Sequence, residues 1–339
     1  MEFLILLGIG LTIGGVAVAL DDDEEEAFQT QNGTEGDDLL LGNDANDHIS
    51  GGEGADSIGG FGGNDLIRGE DGSDLLDGGS GADELDGGEG QDSLYGDEGD
   101  DYLHGEADPD FLAGEAGNDT LNGGGGLDFL HGGTGNDVLQ GSLGADYLRG
   151  DDGNDDLDGG YGGDALHGGD GADSLEGGEG NDLLNGGDVL GRGPSFAEDV
   201  FDDLVHGLSP NSIGSESYMI SDDGTGDELL GGNGQDTLIG GGDDTLTGGD
   251  GADEFVAGDW LSDGEYATVT DFIASEDMIV YRYDETAAAP NLTIVSIANP
   301  DGTNDAELRA DGETVLRITD VSEDFNLEAQ VALVASPMA

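Results

Sequence analysis

From Gly33 to Asn185 the chain repeats every nine residues, seventeen times, without an insertion or deletion. Gly51-Gly52-Glu53-Gly54-Ala55-Asp56-Ser57-Ile58-Gly59 is a representative unit. Position 1 is Gly, position 6 is Asp and position 8 is Leu or Ile in all seventeen. Position 4 is Gly in fifteen, the exceptions being Ala45 and Asp108. Such a period constrains the fold more than any other feature, because one aliphatic residue in nine cannot enclose a core and the units must stack. Composition alone points the other way. There are 69 Gly, and 80 Asp plus Glu stand against 6 basic residues for a net charge of −74, a mixture that ordinarily stays disordered. The repeat overrides that expectation.

The columns predict the local structure. Gly at positions 1, 2 and 4 permits positive φ and a tight turn. Positions 7 to 9 read as a very short strand, with position 8 pointing inward and positions 7 and 9 outward. Two successive units then make one coil turn with strands on opposite walls, and position-8 side chains meet between them. Seventeen units give about eight and a half turns, roughly 40 Å of roll at ~4.8 Å per turn. The fold class is therefore all-β, a β-solenoid.

The Asp column carries the chemistry. It comprises Asp38, Asp47, Asp56, Asp65, Asp74, Asp83, Asp92, Asp101, Asp110, Asp119, Asp128, Asp137, Asp146, Asp155, Asp164, Asp173 and Asp182. Stacking places carboxylates of units n and n+2 one strand spacing apart, where they repel by roughly 0.8 kcal/mol even in water. A hard divalent cation would neutralise them, with turn carbonyls completing an oxygen shell, and Ca²⁺ suits irregular coordination better than Mg²⁺. Turn-forming Asp would tolerate replacement by Asn or Ser, so an invariant column favours ligation. At these residues the chain resembles the RTX, or haemolysin-type calcium-binding, repeat family, whose motif is G-G-x-G-x-D-x-U-x. The resemblance implies a right-handed parallel β-roll with calcium between turns on the same edge. It also implies export by type I secretion machinery and folding triggered by extracellular calcium.

A second array follows. Asp222 to Leu230 is a degraded unit, Gly231 to Ile239 a perfect one, Gly240 to Thr247 one residue short, and Gly248 to Val256 regular. Its ligand candidates are Asp227, Asp236, Asp244 and Asp253. Same-edge pairs within the two arrays suggest a capacity of about 17 Ca²⁺. The expected organisation is a hydrophobic segment and acidic linker (1–32), a first roll (33–185), an insert loop with a short helix (186–221), a second array (222–256) and a C-terminal part (257–339). Alternation in 257–339 suggests a small antiparallel β cap over the roll end. Its stretch from Ala267 to Tyr281 resembles the segment closing many RTX rolls, and its end, Asp320 to Val334, resembles a secretion signal.

The N-terminus conflicts with that pattern. Phe3 to Leu20 is uncharged and long enough to cross a bilayer, and is followed at once by six acidic residues. Ala17-Val18-Ala19 fits a signal-peptidase site, yet Met1-Glu2 lacks the usual basic residue. Membrane attachment and a cleaved signal both remain open, as does a buried helix.

Excess acid excludes nucleic-acid binding, which needs a basic footprint. The absence of Cys excludes disulfides and thiolate metal sites. No HExxH or GxSxG motif occurs, and no two of the five His lie four residues apart. The sequence reads as a secreted, non-enzymatic calcium-binding protein. The alternatives are a cell-surface adhesion or polysaccharide-binding module anchored by its N-terminal segment and, third, the repeat module of an alginate-epimerase-like enzyme.

Two local expectations follow. Asp108-Pro109 should distort its turn and weaken the sites at Asp110, and Asp244 in the short unit should be similarly impaired. Stacking should also align Phe111, Phe129 and Tyr147 as an aromatic ladder on one wall, beside Tyr95, Ala113, His131, Arg149 and His167. Ordinary cross-strand packing or cover by the Phe196–Leu208 run accounts for such a ladder; docking of an acidic polysaccharide or another roll is the sharper alternative.

Overall fold

One aliphatic residue per nine, always at position 8, builds a core one side chain wide. In the computed structural model Leu40, Ile49, Ile58 and Ile67 are followed by Leu at every unit from Leu76 to Leu184, all at most 3% exposed and in one continuous cluster. Leu229, Leu238, Leu246 and Phe255 extend the column. The structure describes residues 16–17, 30–187, 189–190, 219–220, 225–258, 260–261, 264–284, 288–299, 304–321 and 331–336.

Alternate units form two walls. One sheet has 14 strands and includes Ser57–Gly62, Leu75–Ser80, Ser93–Glu98, Phe111–Ala116, Phe129–Thr134, Tyr147–Asp152 and Ala165–Asp170. The facing sheet has 15 strands and includes His48–Glu53, Leu66–Asp71, Glu84–Glu89, Tyr102–Ala107 and Thr120–Gly126. We call them the first and second wall. Within the first array each strand pairs in parallel with the one 18 residues further on, as in Leu103↔Leu121. The strands are longer than positions 7 to 9. Pairing runs through positions 1 to 3 of the next unit, as in Gly52↔Glu70, because the turn residues of successive coils also lie in register.

The glycines serve two different needs. Position 2 is left-handed, and seven non-glycine residues accept that conformation there: Phe61, Glu70, Asp97, Glu106, Glu115, Ser142 and Asp151, with φ between 71° and 80°. Position 1 needs space rather than φ. A Cβ on Gly69 would lie 2.3 Å from Oδ2 of Asp74 and 2.5 Å from the carbonyl oxygen of Gly87. That corrects the turn-geometry reading of position 1.

The two arrays are one roll. Ser174–Gly180 pairs with Glu228–Gly234, and Leu183–Asn185 with Thr237–Ile239, so the insert leaves and re-enters between successive coils. Within it, Val189–Leu190 and Met219–Ile220 form an antiparallel ribbon. The short helix and the Phe196–Leu208 run expected there lie outside the described residues.

The C-terminal cap is less separate than expected. Ala267–Val269 and then Glu313–Val321 continue the second wall in parallel, and Met278–Asp284 and then Val331–Ser336 continue the first. Leu292–Ala298, Asn304–Ala310 and Glu313–Val321 make an antiparallel group. The exposed coil end offers unpaired main-chain groups, and parallel addition satisfies them without a change of strand direction. Val16–Ala17 pairs with Leu39–Leu40 at the other end of the first wall. The rest of Phe3 to Leu20 lies outside the described residues. No helix among the described residues is long and apolar enough to cross a membrane.

Candidate metal centre

The position-6 Asp residues turn inward at the bends, and each is at most 7% exposed. They form two ladders, one per edge, with the two carboxylate oxygens doing different work. From Asp56 and Asp65 onward, Oδ1 accepts the backbone N–H of the Asp one coil earlier, as from Asp38 to Asp56 at 2.7 Å and Asp110 to Asp128 at 2.9 Å. Among the described residues twenty such rungs run at 2.7 to 3.1 Å. They include Asp173 to Asp227 and Asp182 to Asp236 across the insert. Residues 54 apart in sequence thus occupy adjacent rungs.

Oδ2 is the chemically open atom. In fifteen of these residues, Asp56 through Asp164 in steps of nine together with Asp182 and Asp236, it is buried without a hydrogen-bond partner. A buried carboxylate oxygen left so is costly. Each faces the Cβ-less side of its own position-1 Gly. At Gly51, Gly69, Gly105, Gly132, Gly150 and Gly168, a carbonyl oxygen from the next coil borders the same methyl-sized space. The nearest polar atoms bordering it are oxygens, which is the set a hard divalent cation takes.

Electrostatics point the same way. Burial is the first cause and lifts Asp110 and Asp164 to about 8, and Asp83, Asp119, Asp146 and Asp236 to about 7. Asp65, Asp74, Asp128, Asp155 and Asp182 rise to about 6. The ladder N–H opposes the rise in each of these cases, and neighbouring carboxylates add to it in most. Desolvation, rather than the rung-to-rung repulsion expected from spacing, is therefore the main penalty a cation would relieve.

The ladder ends are closed by main chain. Oδ2 of Asp38 accepts the Thr34 N–H at 2.5 Å, and that of Asp47 the Asn43 N–H at 2.8 Å. Oδ2 of Asp244, in the eight-residue unit, accepts the Gly241 N–H at 2.5 Å. At the other expected weak point the turn does differ, since Asp108 holds φ 73° where the left-handed position-4 glycines from Gly54 to Gly180 hold 104° to 157°, yet the rungs through Asp110 keep 2.8 and 2.9 Å. Proline at position 5 costs little because N–H groups there donate to exposed side chains, as Asn118 does to Asp100, rather than to the ladder. Sequence reading missed one rung: the Asp253 N–H donates to Oδ1 of Asp277 at 3.1 Å. Its signal was present, since Asp277-Met278-Ile279-Val280 repeats positions 6 to 9 without the preceding glycines.

The aromatic ladder forms on the first wall. Phe111 and Phe129 stack at 5.2 Å, and Phe129 and Tyr147 at 4.9 Å. Tyr147, however, is 2% exposed, so it cannot offer a face to a partner. His167 is half-buried, and desolvation brings it down to about 4. Asp151 is hydrogen-bonded to His131 and paired with Arg149, which satisfies those groups internally. What stays partly open is the stripe of Phe111 and Phe129 with Tyr95, running into a groove of about 1130 Å³ lined by Phe61, Leu75, Asp77 and Asp97.

A family model, the RTX calcium-binding nonapeptide repeat, matches residues 32–60, 59–94, 95–130, 123–157, 131–166, 158–188 and 222–255. No curated protein matches. Among solved structures, the extracellular lipase LipA from Serratia marcescens is similar at 16% identity, over 77% of this chain, with a TM-score of 0.20. The match spans 45% of that lipase's length.

Proposed function

The chain belongs to the RTX calcium-binding nonapeptide repeat family, and from that premise we propose that it is a secreted, non-enzymatic protein whose roll folds when it meets extracellular calcium. The observation that carries this reading is the row of fifteen buried, partnerless Oδ2 atoms, from Asp56 through Asp164 with Asp182 and Asp236, each beside the Cβ-less side of its own glycine. The proposed ligands are the position-6 Asp residues with turn carbonyls. The twenty rungs raise the capacity inferred from sequence to about 20 cations, with the closed ends at Asp38, Asp47 and Asp244 the weakest. Bound calcium supplies the positive charge that lets these carboxylates stay ionised inside the fold.

Export by type I machinery fits both the family and the absence of Cys. An export channel needs an unfolded chain, and a roll that cannot close without calcium stays unfolded until it is outside. Circular dichroism in chelator and then through a calcium titration tests the folding; full β-structure in chelator would refute it. Peptide mass spectrometry of the mature N-terminus, in culture medium and in membranes, tests the location. Recovery only in membranes, with Phe3 to Leu20 intact, would favour a second reading, a surface-held polysaccharide-binding module. The open Phe111 and Phe129 stripe is the feature that would serve it.

A further inference from the structure

The outer face of the second wall carries a cluster that the calcium ladder does not use. Asp86 and His104 hold position 9 on adjacent rungs, where Asp86 pairs in register with His104. Glu106 sits two residues beyond His104, and its own rung neighbours are Gly88 and Gly124. With no side chain on either flank, Glu106 folds back along its strand. Its Oε1 lies 3.4 Å from Nδ1 of His104. One ligand atom from each of the three residues lies within 4.8 Å of the other two.

We propose that Asp86, His104 and Glu106 form a second kind of metal site, which takes a borderline divalent cation such as Zn²⁺ or Co²⁺ in preference to Ca²⁺. The donor set decides the class. An imidazole nitrogen beside two carboxylates suits zinc and its neighbours, whereas calcium takes oxygen alone. Three protein ligands leave a fourth position to water. The charge balance agrees, because the two carboxylates face one distant cation, Arg68, whose Nε is 4.0 Å from Asp86. Burial, followed by the charge of Glu106, raises the Asp86 carboxyl. The first wall supplies the contrast: there His131 meets Asp151, but Arg149 already pairs with that carboxylate. The second-wall cluster has no such internal counter-ion at Glu106 among the contacts described. It also lies on the outward face, so the site is separate from the inward Asp ladders.

The test uses the full chain, folded in excess calcium so that all-oxygen sites are already filled. Zinc chloride is titrated by calorimetry, and cobalt chloride by visible absorption, on wild type, His104→Gln, Glu106→Gln and His48→Gln. Wild type and the His48 variant should each take up one tight Zn²⁺ and give a cobalt d–d band. The His104 and Glu106 variants should lose the band and bind on the order of tenfold or more weakly. In wild type the His104 ring resonances should shift as zinc is added, a readout that needs no variant to fold. Equal zinc binding by wild type and His104→Gln, an unmoved His104 ring, or displacement of the zinc by calcium would each overturn the proposal.

Discussion

The two oxygens of a ladder carboxylate can be separated by one pair of substitutions at Asp128. This side chain is fully buried; its Oδ1 accepts the Asp110 N–H at 2.9 Å, and its Oδ2 has no partner. Asp128→Asn keeps the acceptor and removes the anionic ligand. Asp128→Ala removes both and leaves the Asp110 N–H orphaned inside the bend. In saturating calcium both variants should bind less calcium than wild type, since both lose the Oδ2 donor. Their stabilities should nonetheless differ. An orphaned buried N–H costs about 1–3 kcal/mol, so Ala should lie below Asn by that amount. Equilibrium dialysis gives the stoichiometry, and urea unfolding in calcium gives the difference. If Asp128→Asn binds the full complement and unfolds with wild type, Oδ2 is not a ligand and the division of labour is wrong. If Asn and Ala are equally destabilised, the ladder hydrogen bond contributes nothing.

Burial raises Asp128 from 3.8 to about 6, two pKa units at ~1.4 kcal/mol each, so one uncompensated carboxylate costs about 3 kcal/mol at neutral pH. A few such groups equal the 5–15 kcal/mol of a whole domain. Folded pKa values above unfolded ones give the calcium-free roll its greatest stability below about pH 4, lost as pH rises through about 6 to 8. Circular dichroism of the chelated chain from pH 4 to 8, with sedimentation to exclude aggregates, should show β-structure falling over that window; a flat profile would contradict it. Gly105→Ala should abolish binding at its rung, because the new Cβ would lie 2.4 Å from Oδ2 of Asp110; unchanged calcium stoichiometry would count against the seat. Phe61→Gly should stabilise the calcium-bound roll by about 1 kcal/mol, since Phe61 holds φ 78°, and calorimetric melting reads the gain or its absence. Gly79→Ala should do the opposite, its Cβ falling 2.3 Å from the Phe61 carbonyl oxygen.

The period of nine and its three invariant columns determined the roll, the buried aliphatic line and the acidic edges, because in a solenoid each unit's environment is set by copies of itself. Residues at matching positions meet whatever their number, so Phe111, Phe129 and Tyr147 could be aligned from sequence. What the period could not state is how deeply each group is covered or which atom it faces. Asp56 and its counterparts present one satisfied and one orphaned oxygen only once a neighbouring coil supplies the N–H. Tyr147 is as exposed as Phe129 in the pattern and buried in the fold. The Asp173 to Asp227 rung spans an insert whose length says nothing about where its ends meet. Asp277, 24 residues after Asp253, joined the ladder only when Met278–Asp284 took the next place in the wall. Zinc-type donors at Asp86 and His104 lie in different units, and one strand spacing brings them together. Local repetition encodes which face a residue takes, while depth and atomic partners come from contacts a full coil or more away.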